Sequence, residues 1–257
     1  MSEHVRIERG DGVLAITLAR PEQRNAITVA MYAALADAVA GAATDPSIRL
    51  ITIRGDGVDF TAGNDLADFL SGGSTIADGD EAPVVRLLKG LAVNQVPILA
   101  AVHGNCVGIG TTLLFHCDLV IAEEGAKFVM PFVDLGLVPE AASSLLLPRM
   151  AGRRAAARHL LLGEPFSAEQ ALAMGLASHI VARGELDSTF ERIRAALLAK
   201  PAEAMRLTQR LLRTGDRDAV LDRMDLENGH FAERLTSDEV KQAIAGFFAA
   251  KARQTGT

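Results

Sequence analysis

AAVHGNCVGIGTTLLFHCDLVIA, residues 100–122, decides how the chain is built. Read with the preceding Pro97–Ile98–Leu99, it opens as a run of small and branched apolar residues ending on a glycine, the pattern of a buried strand. The glycines of GNCVGIG then space a turn, and TTLLFHCDLVIA carries a short helix into another strand. A second strand–glycine–helix turn lies earlier, in Phe60–Thr61–Ala62–Gly63–Asn64–Asp65. In each, glycine lets the chain turn tightly and present a backbone N–H at the start of a helix: Gly63 precedes Asn64, and Gly108 and Gly110 flank Ile109. Two such N–H groups converging on one oxygen would make an oxyanion hole for a thioester or ester carbonyl. The spacing leaves their convergence open.

Outward from these turns the chain reads as strands packed by helices. VRIER at 5–9 and VLAITLA at 13–19 are strands joined by Gly10–Asp11–Gly12. Thr28 is placed to cap an Ala-rich helix running to about Ala43, with Met31, Leu35 and Val39 on one face. RLITIRG at 49–55 returns as a strand, and VRLLKGLAVNQ from 85 is helical. Between them LSGGSTIADGDEAP, 70–83, is polar and glycine-bearing, a surface loop next to the Gly63 turn that could cover it. A third stretch, KFVMPFVDLGLVPEAASSLLLPRM, ends with Pro139–Glu140 leading a helix. Beyond about 150 helix follows helix. Leu161, Leu162, Leu197, Leu198, Leu211, Leu212, Phe247 and Phe248 make these helices more apolar than a solvated face needs, which predicts packing on the core or on another subunit.

With 257 residues, 49% of them apolar, the chain can bury a sizeable core. The start carries Arg6, Glu8 and Asp11, so no signal-peptide core is expected, and no later stretch approaches the roughly 20 uncharged apolar residues that span a bilayer. A soluble, cytoplasmic protein without membrane partners is the expectation. A net charge of −6 argues against a nucleic-acid surface. Arginines do cluster locally around Arg153 and Arg210, on solvated helix faces or against the phosphates of a nucleotide-bearing ligand. Cys106 and Cys117, in apolar surroundings, read as buried thiols.

Several chemistries find no motif. G-x-G-x-x-G spacing, a P-loop Lys-Ser/Thr and a G-x-S-x-G nucleophile elbow are missing, and Ser143 and Ser144 read as helix filler or caps. His103, His116 and His159 lack metal-ligand spacing, so no metal is assigned; His116 reads as a hydrogen-bonded residue near the core. Glu140 stands out because LGLVPEAASSLLL is otherwise apolar. An acid there is either a favourable charge in a first helical turn or, facing an apolar pocket, a proton shuttle with a raised pKa. Asp134 competes for that role, while Asp65 suits bracing its own turn.

These residues carry a resemblance. Phe60–Leu66 resembles the F-x-A-G-x-D-[LI] turn of the enoyl-CoA hydratase/isomerase (crotonase) family, 100–122 its second signature and ARPEQRNAIT at 19–28 its N-terminal one. PFSAEQALAMGLASHIV at 165–181 and FAERLTSDEVKQAIAGFFAAK at 231–251 extend the similarity over nearly the whole chain. The resemblance implies an α/β fold: a spiral of ββα repeats, as in ClpP, forming two nearly perpendicular sheets over 1–195, then a helical trimerisation region over 196–257, with trimers able to pair into hexamers. It implies an acyl-CoA thioester substrate, coenzyme A being part of the substrate and no separate cofactor being required. The thioester carbonyl would rest on the N–H groups of Asn64 and Ile109, with Gly108 beside them. Arg24, Ala26 and the run Ala62, Gly63, Asn64, Asp65, Leu66, Ala67 would contact pantetheine and adenosine. The family usually has glycine where Ile109 stands, which narrows the acyl end without removing the backbone donor.

The departures bear on the reaction. Hydratases of the family hold a water between two glutamates; at the matching positions this chain has Thr112 and Phe132, neither able to exchange a proton as a carboxyl does. LGLVPEAASS is instead similar to the stretch of Δ3,Δ2-enoyl-CoA isomerases whose lone acid follows the proline, which places that acid on Glu140. One carboxylate can take the α-proton of a 3-enoyl thioester and return it at the γ-carbon. Isomerisation is therefore the favoured expectation. Hydration, another thioester reaction and a non-catalytic acyl-CoA-binding protein are its rivals.

Overall fold

The computed structural model describes residues 3–70 and 76–255. Strands β1 (Val5–Gly10) and β2 (Val13–Leu18) form the expected antiparallel hairpin, Val5 opposite Leu18. Thr28 Oγ1 accepts the Met31 N–H at 3.3 Å and starts α1 (Val29–Thr44), which buries Met31, Leu35 and Val39. β3 (Leu50–Gly55), β4 (Ile98–Val102), β6 (Leu119–Glu123) and β9 (His179–Val181) then add in parallel, giving a six-stranded sheet in the order β1-β2-β3-β4-β6-β9. Each parallel step needs a crossover, which α1 and α3 (Pro83–Val93) supply for the central strands.

Both faces of this sheet are covered, and β4 records it residue by residue. Ile98, Ala100 and Val102 join the main core with α1 and α3, whereas Leu99 and Ala101 join a second core with Val13, Leu50 and α8 (Leu186–Leu198). That period of two across a wholly apolar strand is what a parallel sheet between layers requires. β5 (Asn105–Val107) and β7 (Lys127–Val129) pair in parallel, and β8 (Phe166–Ser167) runs antiparallel to β7, in a second, three-stranded sheet. The reading of GNCVGIG as a turn is corrected here. Asn105–Val107 is strand, because its backbone meets both Lys127–Val129 and Thr61.

The loop expected at 70–83 is shorter than the composition suggested. Ile76–Glu81 is a broken 3-10 segment and α3 begins at Pro83; residues 71–75 of the stretch read as a cover lie outside the described residues.

α8 runs across the 195/196 boundary, and α9 (Ala202–Thr214), α10 (Arg217–Leu235) and α11 (Asp238–Thr255) follow. Arg213 ties α9 down, donating to the carbonyls of Leu91 and His116 (both 2.6 Å) and to Asp118 (3.1 Å). One arginine of the Arg210 cluster is thus a clamp within the fold. Val220, Met224 and Phe231 of α10 and Val240 and Ile244 of α11 join the main core. Leu197 and Leu198 pack on the second core, but Leu211 and Leu212 stay 78% and 75% exposed, with Leu161 and Leu162 also uncovered. The side chains of Phe247 and Phe248 lie outside the described residues. Among the described residues no helix is long and apolar enough to cross a membrane.

One buried side chain fixes the chain before α1. Asn25, fully buried with a left-handed φ of 55°, accepts from the Arg20 N–H (2.9 Å) and donates to the carbonyls of Asp56 (2.8 Å) and Asp59 (2.9 Å). Asn25→Ala leaves all three backbone groups without their partner and is expected to cost about 3 kcal/mol, read as a lower denaturant midpoint.

Candidate active site

The two glycine turns lie side by side. Thr61 pairs with Cys106 and donates its N–H to the Asn105 carbonyl, while Val107 donates to the Thr61 carbonyl at 3.0 Å. Gly63, at φ 86°, packs so closely on this segment that a Cβ there would stand 2.9 Å from the Val107 carbonyl oxygen. Gly108, also at positive φ, then turns β5 into the one-turn helix α4 (Ile109–Thr112). Ile27 and Asp65 supply the hydrogen bonds of the Ile27–Asn64 bridge, which leaves the N–H of Asn64 itself unspent. Among the described residues the Asn64 and Ile109 N–H groups have no acceptor. Pairing between Thr61 and Cys106 thus sets side by side two turns, widely separated in sequence, that each carry an unengaged N–H.

The surrounding residues brace these turns. Asp65 accepts from Arg20 at 2.6 Å and from the N–H groups of Ala67 and Asp68 at 3.1 and 3.2 Å, capping α2 (Leu66–Leu70). Burial pushes its pKa up, but these donors outweigh burial and hold the carboxyl below its ordinary range. Arg24, in a left-handed conformation, accepts the Ala62 N–H at its carbonyl (2.8 Å) and extends a 69% exposed side chain past Asp59. Ala26 lies in the same turn, its carbonyl accepting from Arg20 at 3.1 Å.

Glu140 is a buried acid, 1% exposed. It does not lead a helix as read from the sequence. α5 (Ser143–Ala151) starts three residues later, and Ala141 and Ala142 intervene at φ 60° and 57°. Two successive left-handed alanines cannot continue a helix, so Glu140 stands on a strained turn rather than in a first helical turn, which removes the dipole reading. The turn is held from several sides. His116 bonds the Ala141 carbonyl at 2.9 Å, Ser143 Oγ donates to the Glu140 carbonyl at 2.6 Å, and Glu227 accepts the N–H groups of Ala142 and Ser144. Burial drives His116 down to about 4, so it is neutral and its ring N–H donates.

Burial raises the Glu140 pKa to about 8, helped by the charge of Glu227 and opposed by the hydroxyl of Thr112, which donates to Glu140 Oε1 at 3.3 Å. Thr112→Val removes that opposing donor and is expected to move the Glu140 titration further alkaline, measured in the pH profile of whatever reaction the acid serves. Phe132 is 4% exposed and meets Phe231 edge-on at 6.5 Å, an apolar wall. Asp134 is exposed and lies against Gly163, away from the role it competed for. Burial holds the Cys106 and Cys117 thiols well above the ordinary range, as inert groups.

Tyr32 was not singled out in the sequence. Its hydroxyl donates to Asn64 Oδ1, and its pKa is raised first by burial and then by the charge of Glu140. Glu140, Tyr32 and Asn64 therefore share one neighbourhood, joining the acid to the Gly63 turn. Being the chain's one tyrosine, Tyr32 looked like another apolar residue beside Met31. Glu227 also went unremarked, although Val220, Met224, Glu227 and Phe231 follow one helical stripe and an acid among core positions is a signal in itself.

Known proteins resemble this chain in sequence and fold. The family profile described as enoyl-CoA hydratase/isomerase matches residues 8–254. The 1,2-epoxyphenylacetyl-CoA isomerase of Escherichia coli K12 is 33% identical over 95% of this chain and 94% of its own length. Enoyl-CoA delta isomerase 2 of Rattus norvegicus is 34% identical over 97% of this chain, which spans 64% of the rat protein. Among solved structures, an enoyl-CoA hydratase/isomerase from Pseudoalteromonas atlantica T6c superposes with a TM-score of 0.90 at 36% identity, covering 96% of this chain and 98% of that one.

Proposed function

The chain belongs to the enoyl-CoA hydratase/isomerase family, and from that membership we propose that it moves the double bond of a 3-enoyl-CoA to the 2-position. The observation that carries this reading is the buried carboxyl of Glu140, the one buried acid among the described residues whose oxygens accept no backbone N–H, with Thr112 and Phe132 where a hydratase would hold its water-binding acids. In its ionised form Glu140 takes the α-proton; the Asn64 and Ile109 N–H groups receive the charge on the thioester oxygen; the protonated Glu140 returns the proton at the γ-carbon. Coenzyme A enters as part of the substrate, along Arg24, Ala26 and residues 62–67, and no separate cofactor takes part. Hydration would need a second acid. Both oxygens of Glu227 are taken up by the N–H groups of Ala142 and Ser144. The exposed Leu161, Leu162, Leu211 and Leu212 suit contacts between copies in a cytoplasmic trimer or dimer of trimers.

The test is to mix the protein with a 3-enoyl-CoA and follow the ultraviolet band of the conjugated 2-enoyl thioester. A band that forms supports isomerisation and none at all defeats the reading; loss of the same band when the 2-enoyl thioester is supplied would support hydration.

The raised pKa gives this activity a direction. The base must be ionised, so turnover is expected to climb as pH rises through about 8. Stability runs the other way. A carboxyl whose folded pKa lies above its unfolded value stabilises the fold fully below the unfolded value, and that contribution is lost as pH rises through the folded one. Glu140→Gln should therefore gain stability over the unaltered chain between the ordinary carboxyl value of 4.5 and about 8, by an amount on the order of a few kcal/mol, measured by denaturant unfolding at both ends of that window.

A further inference from the structure

We propose that Glu227, from the C-terminal helix α10, is the positioning residue for Glu140: its carboxylate holds the turn that carries the acid and imposes its negative charge on that acid. The inference rests on the isomerase reading for its kinetic consequence and on geometry for the rest. Glu227 Oε2 accepts the Ala142 N–H at 2.6 Å and Oε1 the Ser144 N–H at 3.0 Å, with Glu227 itself 5% exposed. Ala142 starts α5 with no side-chain cap of its own. Glu227 therefore caps α5 from another helix, satisfying donors that would otherwise be buried unpaired. The same two bonds hold Ala141 and Ala142 left-handed, a conformation alanine leaves when nothing restrains it.

The charges around this pair are few. Thr112 from α4 and Tyr32 from α1 face Glu140, and the neutral His116 holds Ala141 from the far side. Arg223, one turn earlier on α10, donates to Ser144 Oγ at 3.1 Å and partly offsets the charge of Glu227. Burial raises the pKa of Glu227, opposed by Ser144, Ala142 and Arg223, so α10 brings a second carboxyl close to the first without opening it to solvent. Phe231, one turn further along α10, packs on Phe132, so one helix both braces the acid and backs the wall of its pocket.

Glu227→Gln keeps the volume but loses the charge and one acceptor; Glu227→Asp keeps the charge but is too short to span both N–H groups. Both are expected to lower kcat for a 3-enoyl-CoA by about 10–10²-fold with KM nearly held, the loss expected of a misaimed acid. The titration of Glu140, followed as the protonated-carboxyl infrared band that Glu140→Gln removes, should fall in Glu227→Gln and stay high in Glu227→Asp. Folded Glu227 variants with unchanged kcat, or with the loss confined to KM, overturn the proposal. If neither variant folds, Arg223→Gln carries the test: with the cation that partly offsets Glu227 removed, the Glu140 band must titrate at higher pH than in the unaltered protein, and an unmoved band overturns the proposal. The infrared readings need no turnover, so they stand even if the protein fails to isomerise the thioester.

Discussion

Glu140→Gln is expected to lower the turnover of a 3-enoyl-CoA by about 10⁴-fold, close to the upper range for losing a general acid–base group, while leaving its affinity within a few fold. The size follows from Glu140 doing both halves of the proton transfer. In the described structure no second carboxyl is free to substitute: Glu227 is spent on two backbone N–H groups and Asp134 is exposed against Gly163. Glutamine keeps the shape and can still accept from Thr112, so the turn and the thioester pocket should survive. At about 1.4 kcal/mol per tenfold, the loss corresponds to about 5–6 kcal/mol of transition-state stabilisation. Single-turnover kinetics beside equilibrium binding of a saturated acyl-CoA would measure both numbers. A parallel loss of binding would instead mean that the acid shapes the pocket.

Gly63→Ala should have the next largest effect, lowering turnover by about 10²–10³-fold, the loss usual for one oxyanion donor. Its φ of 86° suits glycine, and the new Cβ would stand 2.9 Å from the Val107 carbonyl oxygen, a backbone atom already set by the pairing of Asn105–Val107 with Lys127–Val129. Either Gly63 changes conformation or the two turns separate. Both displace the Asn64 N–H from that of Ile109. The strain should also cost about 1–3 kcal/mol of stability, so thermal unfolding measured beside kcat separates the two effects: a folded variant with near-normal turnover would show that Asn64 is not an oxyanion donor.

Much of this was legible in the sequence, and for physical reasons. The wholly apolar β4 announced a buried strand, the turn around Asp11 announced the β1–β2 pair, and Thr28 announced α1, because period and capping are local properties. The two glycine turns could be found but not brought together, since their adjacency depends on pairing between Thr61 and Cys106 across a long stretch of chain. Glu140 was found by its apolar neighbours. Its backbone was misread because Pro139 suggests a helix start while the left-handed Ala141 and Ala142 are imposed from outside by Glu227 and His116. Tyr32 and Glu227 escaped notice for the same reason: each acts through a contact with a residue distant in sequence, and neither sits in a motif.

The central claim is that one buried carboxyl carries a proton from the α- to the γ-carbon. Its most direct test is a 3-enoyl-CoA deuterated at both α-positions, turned over briefly in ordinary water, with the product analysed by mass spectrometry and NMR. Because Glu140 is 1% exposed, the deuteron it removes should be returned before it exchanges, giving a 2-enoyl thioester with one deuterium on the α-carbon and one on the γ-carbon. A product whose γ-carbon carries only solvent hydrogen from the first turnovers, or a 3-hydroxyacyl thioester in its place, would contradict the account.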